Sequence, residues 1–162
     1  MWEIKEFATG GVHDVSNTYT WSIYTGDVGL PPSFDINPNG TLFTDFLDTL
    51  NNKCDGDETT TCTSNTDCSG IGNGLCGHAG YRDWRIPNVK EFISILNYHF
   101  GRGSAYGIAP YSPFLGAGDY WSATTYGGDF RVYHYVYIVS TLDGTIRSDL
   151  KHNSYRGMAV RP

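Results

Sequence analysis

The residues best suited to chemistry lie in the last third of the chain, where Arg131, Tyr133, Tyr135 and Tyr137 recur at every second position. Period two is the repeat of an extended strand. These four would therefore share one face, and Phe130, Val132, His134, Val136 and Ile138 would take the other. A tyrosine offers a large ring, a hydrogen-bonding tip and only two torsions to freeze, which suits it to recognition surfaces. Neighbouring segments add Tyr126, Asp129, Asp149, His152, Asn153 and Tyr155. Together these residues make a candidate ligand-binding set whose chemistry is non-covalent contact. The competing reading has the tyrosine row covered by the loop between Gly101 and Gly118, or by another subunit.

Catalytic patterns are weak by comparison. His13, His78, His99, His134 and His152 are scattered, with no His-x-x-x-His pair, and no Gly-x-Ser-x-Gly elbow occurs. Gly72-Asn-Gly74-Leu-Cys-Gly77 fits a dinucleotide-binding pattern by letters, but it lacks a preceding strand and a following helix. The expectation is that the chain is not an enzyme and needs no cofactor. Asp55, Asp57, Glu58 and Asp67 fall in one loop region, and their hard oxygens would suit calcium, although the spaced Asp-x-Asp-x-Asp-Gly loop is missing.

All four cysteines, Cys54, Cys62, Cys68 and Cys76, also lie in this polar stretch. An even, clustered set predicts two disulfides and an oxidising compartment, with three pairings open. Zinc is the alternative, but the gaps of seven, five and seven residues lack the short knuckle that zinc sites favour.

Positioning these groups requires a framework, and the apolar periodicity supplies one. Met1 to Lys5 and Tyr19 to Tyr24 read as strands, the second with Tyr19, Trp21 and Ile23 on one side. Leu42, Phe43, Phe46, Leu47 and Leu50 make a helical stripe over Thr41 to Asn52. Gly29 to Gly40 is loop. Residues 53–80 lack such periodicity and form a crosslinked insertion. A second helix is expected over Asn88 to Tyr98, capped by Asn88 with Glu91 as its reciprocal partner. Strands follow at Tyr120 to Thr124 and Phe130 to Ser140. Asp143-Gly144 supplies a tight turn before Thr145 to Leu150, and Tyr155 to Arg161 closes the chain. Two helices early and a sheet late make an α+β domain spanning 1–162.

The 162 residues include 12 Tyr, 8 Phe, 4 Trp and 20 Gly, more tyrosine than a core of this size needs. Some of it should therefore reach the surface. The formal net charge of -6 has the wrong sign for nucleic acid, and no apolar run is long enough for direct membrane insertion. Because the opening already reads as a strand, an export signal or anchor is expected upstream.

Four segments together carry a family resemblance. Tyr81-Arg-Asp-Trp-Arg-Ile-Pro-Asn88, followed by Val-Lys-Glu-Phe, resembles the Asp-Trp-Arg-Leu-Pro-Asn-x-x-Glu-Leu signature of the Legionella collagen-like protein C-terminal domain family. The start Met1-Trp-Glu-Ile-Lys5, the strand Tyr120-Trp-Ser-Ala-Thr124, and Leu142-Asp-Gly144 with Ala159-Val-Arg161 are similar to further family segments. Ala159 stands where some members have a cysteine. The resemblance implies a C-type-lectin-like fold: two helices, a mainly antiparallel sheet, paired terminal strands and long irregular binding loops. It implies an extracellular, cell-surface or virion protein that adheres to a glycan or protein on another cell or surface. Lectin-like domains of this type also serve as variable proteins of diversity-generating retroelements, and the usage in the final strands matches that role. The acidic balance argues against a sulfated polyanion as ligand. Two alternatives stay open: an enzyme of the formylglycine-generating type, and an oligomerisation cap on a surface fibre. Trp84 and Trp121 are expected in the core, and Asp83 and Arg85 are expected to bond to backbone or to each other.

Overall fold

The computed structural model describes residues 1–23, 37–96, 116–127 and 135–162. The chain is an α+β arrangement built on one mixed sheet. In chain order the elements are β1 (Thr18–Thr20), a π-helical turn Leu42–Leu47 running into α1 (Asp48–Asn52), β2 (Lys53–Cys54), β3 (Asp57–Thr61), α2 (Val89–Ile95), β4 (Asp119–Thr125), β5 (Tyr135–Ser140), β6 (Ile146–Leu150) and β7 (Ser154–Arg156). Short 3-10 turns at Asn65–Cys68 and His78–Gly80 complete the set. The main sheet has the order β1-β7-β4-β5-β6, and β2 pairs with β3 separately. All main-sheet pairings are antiparallel except β4 with β7, which run parallel at Tyr120 and Arg156. Among the described residues no helix is long and apolar enough to cross a membrane.

The sheet is covered on both sides. On one side Leu42, Phe46 and Leu50, spaced four apart, pack with Tyr19, Trp21, Trp84, Trp121, Val136 and Ile138. On the other, Phe92 and Leu96 pack on Tyr120, Val139 and Met158. Both expected core tryptophans are buried, and each indole N–H finds a carbonyl: Trp121 Nε1 donates to Tyr19 O at 2.6 Å and Trp84 Nε1 to His78 O at 3.1 Å. Burial raises the phenols of Tyr19 and Tyr120 to about 12, so these two tyrosines belong to the core.

Several expectations change in detail. The opening strand reduces to one bridge, Trp2 with Val160, flanked by Glu3 N–H to Ala159 O and Arg161 N–H to Met1 O, so the chain ends do pair. Ile23 is exposed rather than facing in with Tyr19 and Trp21, because β1 stops at Thr20 and both Trp21 and Ser22 donate to Lys151 O. The second helix is capped by Asn88 and Glu91 as expected but ends at Ile95. Asp83 and Arg85 do not meet: Asp83 binds Arg161 at 2.8 Å, while Arg85 donates to the backbone at Ile86 O, as expected, and also binds Glu91 at 2.5 Å. Val160 bridges both Trp2 and Arg85, so the signature segment and the terminal Val-Arg segment are tied together.

Residues 53–80 form an ordered unit stapled by Cys54–Cys68 and Cys62–Cys76, two interleaved disulfides that choose one of the three open pairings. The sulfurs of Cys54, Cys62 and Cys68 lie within 4.8 Å of one another, yet all are engaged in S–S bonds and offer no thiolate for zinc.

Candidate functional site

Strand β5 alternates as the sequence predicts. Val136 and Ile138 are buried, and Tyr135 and Tyr137 are half-buried on the opposite face. That opposite face is the side covered by α2, because Val139, in register with Tyr135 and Tyr137, packs against Phe92. Tyr137, half-buried, lies on the same face beside the first residues of α2.

Strand β4 carries an irregularity that shapes the opening. Tyr120 and Trp121 oppose Val139 and Ile138, but Thr125 opposes Val136, so β4 has two more residues than β5 over the same span. The bulge is held by Ser122, whose hydroxyl donates to Tyr137 O at 2.8 Å and accepts the Thr124 N–H at 3.2 Å. Freed from the ladder, the Ala123 N–H donates to Pro87 O at 2.7 Å, and the Thr124 hydroxyl accepts the Val89 N–H at 3.1 Å. A bulge of this kind re-aims side chains and often sits beside functional sites. Here it ties β4 to the start of α2 and leaves a cleft of about 520 Å³ lined by Asn88, Val89, Lys90, Thr124, Tyr137 and Ile146. Tyr126 stands at the rim, with its ring edge-on to Tyr137 at 5.7 Å and its N–H bonded to Tyr135 O. Tyr126 is 36% exposed and Ile146 40%, so apolar surface faces solvent at the cleft. The hydroxyls of Tyr126, Tyr135 and Tyr137 have no partner among the described residues.

The expected ligand set is divided by the sheet. Asp149 pairs with Val136 rather than with a tyrosine, which places it on the face opposite Tyr135 and Tyr137. Tyr155 is on that far side too, edge-on to Trp121 at 4.8 Å, with its hydroxyl donating to Asp149. Asn153 Nδ2 donates to the other oxygen of Asp149 at 2.9 Å. Burial works to raise the Asp149 carboxyl, but the bonds from Tyr155, Leu150 N–H and Asn153 hold it below the usual carboxylate range. The Tyr155 phenol is pushed up by its own burial and by Asp149. His152 is exposed on the turn between β6 and β7. Asp129, Arg131 and Tyr133 lie outside the described residues.

The acidic set Asp55, Asp57, Glu58 and Asp67 is also divided. Asp57 is taken by Thr59 and Thr60, and Asp67 by Thr63 and Ser64. Asp55 and Glu58 line a second, polar cavity of about 370 Å³. Two histidines far apart in sequence meet there. The rings of His13 and His78 have centroids 4.2 Å apart and are tilted by 44°. Burial, then the neighbouring His13, pull the His78 ring below the ordinary histidine range. No spacing rule points to this pair. The local signal is Gly77, at φ 78°, where a Cβ would meet Tyr81 O at 2.2 Å; only glycine permits the turn that carries His78 inward.

The family model described as the Lcl C-terminal domain matches residues 9–161, nearly the whole chain and including the crosslinked segment. No curated protein matches the chain.

Proposed function

This chain belongs to the Lcl C-terminal domain family, and on that premise we propose that it is a surface adhesion module of the extracellular, cell-surface or virion type. It recognises a glycan or protein through the tyrosine-lined cleft beside α2. The observation that carries this reading is the open arrangement of Tyr126, Tyr137 and Ile146 around that cleft. The Tyr137 ring with Tyr126 edge-on at the rim, an apolar lining and one ammonium, that of Lys90, match the mix of apolar lining and few polar groups that small-ligand sites use. The ring faces give a sugar or a flat side chain a surface to stack on, and the phenol tips, which have no partner among the described residues, give it hydrogen bonds.

Asp149, Asn153 and Tyr155 play a structural part on the opposite face. A C-type-lectin-like fold fits the paired chain ends, and two disulfides fit an oxidising compartment. Recognition without catalysis is the better reading, because a formylglycine-generating type of chemistry would use cysteine thiols and all four here are oxidised.

The test is capture on a printed glycan array and on immobilised extracellular-matrix proteins. Tyr137→Ala and Tyr126→Ala should each lower capture at least tenfold, about 1.4 kcal/mol, while circular dichroism stays that of the parent. Capture that is unchanged in both variants would sink the cleft as the site. An oligomerisation cap instead would show as a concentration-independent trimer in sedimentation.

A further inference from the structure

We propose that His13 and His78 form a binding site for a divalent transition-metal ion of the zinc class, each ring offering its Nε2 atom. The site is separate from the tyrosine cleft and stands independently of it.

The first argument is the geometry of the pair. Ring centroids at 4.2 Å place the two imidazoles close enough to share one ion, which bonds a histidine nitrogen at roughly 2.0–2.1 Å, after small turns of the rings.

The second is the set of groups behind each ring. His13 Nδ1 lies 3.0 Å from Glu3 Oε1, and His78 Nδ1 lies 3.2 Å from Asp55 Oδ1. An ionised carboxylate only accepts, so each ring carries its hydrogen on Nδ1 and keeps the Nε2 lone pair free. This is the carboxylate–histidine pairing that orients metal-bound imidazoles. Both carboxylates are themselves anchored. Glu3 is fully buried, with Lys5 Nζ 2.8 Å from Oε1 and the Ala159 N–H donating to Oε2 at 3.0 Å. Asp55 accepts from Asn73 Nδ2 at 3.1 Å. Neither Nε2 has a hydrogen-bond partner among the described residues.

The third is the space in front of the rings. Both line the cavity of about 370 Å³ together with Glu6, Thr9 and Glu58, whose Oε1 accepts the Val12 N–H, and no lysine or arginine is among the lining residues. The potential there favours a cation, and there is room for the ion and its waters. Imidazole selects zinc, copper or nickel over calcium, which prefers oxygen ligands alone. Two histidines fill two of four tetrahedral positions. Water, or the Glu58 or Glu6 carboxylate after a rotamer change, would complete the shell.

The pair also joins two parts of the chain. His13 belongs to the opening segment, where its carbonyl accepts the Glu6 N–H at 2.8 Å. His78 follows the Cys62–Cys76 disulfide, and its carbonyl accepts the Trp84 indole. A bound ion would clasp the crosslinked segment to the opening segment.

Isothermal titration with zinc chloride tests this on the oxidised full chain, stripped with a chelator and dialysed. One zinc per chain is expected, weakened at least tenfold in both His13→Gln and His78→Gln, and roughly tenfold in Asp55→Asn, which removes a positioning group. A long-range proton–nitrogen spectrum of the unmodified protein should show zinc shifting Nε2 of His13 and His78 and leaving each Nδ1 protonated. Zinc that does not bind, that binds equally well to both histidine variants, or that shifts other histidines would overturn the proposal. Should His78→Gln misfold, the spectrum and His13→Gln decide it.

Discussion

On one face of the main sheet Tyr155 stands edge-on to Trp121 and gives its hydroxyl proton to Asp149. On the other, Tyr126 and Tyr137 meet at 5.7 Å beside an open cleft, and their hydroxyls have no partner among the described residues. The same side chain thus works as an internal brace on one side and as displayed surface on the other. What separates the two is the cover above them. The stripe Leu42, Phe46 and Leu50 packs a buried layer on the first face, whereas on the second Phe92 of α2 packs on Tyr120 and Val139 and the start of the helix leaves a cleft beside Tyr137.

If that contrast holds, substitutions on the two faces should separate stability from capture. Trp121→Ala should have the largest effect. It removes a fully buried indole and its bond to Tyr19 O, and should cost about 3–5 kcal/mol in chemical denaturation. A loss comparable to that of a surface substitution would show that the first face is not the packed one. Tyr155→Phe should come next, at about 1 kcal/mol, for the lost bond to Asp149. Its capture of any ligand found through Tyr137 should equal the parent's; a joint loss would mean the two faces act as one site.

The smallest effect concerns acid. Arg85 and the Asn88 N–H hold the Glu91 carboxyl at about 2, against an ordinary 4.5. A carboxyl depressed in the folded state adds stability above its unfolded value, and that contribution is lost as pH falls from about 4.5 towards 2. Glu91→Gln should therefore lower the melting temperature slightly at neutral pH and flatten its fall across that window. An unchanged acid slope would remove Glu91 from the account of how α2 is pinned beside the cleft.

Much of this framework is legible in the sequence because it rests on local rules. The capping pair Asn88 and Glu91, the stripe Leu42–Phe46–Leu50, the alternation at Tyr135 to Ile138 and the turn at Gly144, where φ is 71°, each follow from spacing a few residues long. The site is only half legible. Alternation gives the face of Tyr137, but strand register decides which partner shares it. That register places Asp149 beside Val136 and moves Asp149 and Tyr155 to the far side. The bulge held by Ser122 has no signal in Tyr120-Trp-Ser-Ala-Thr124 itself; it appears only when β4 is laid against β5. The meeting of His13 and His78 depends on how the crosslinked segment folds back on the chain start, a long-range contact that no linear pattern encodes.

The interleaving of Cys54–Cys68 with Cys62–Cys76 has a consequence for resistance to proteolysis. A protease that cuts once anywhere between Cys54 and Cys76 always leaves at least one S–S bond spanning the break. Side-by-side bridges would leave an unguarded gap between them; crossed bridges leave none. A nicked molecule would keep both fragments attached and the scaffold under its loops in place, and would come apart only when reductant and protease act together.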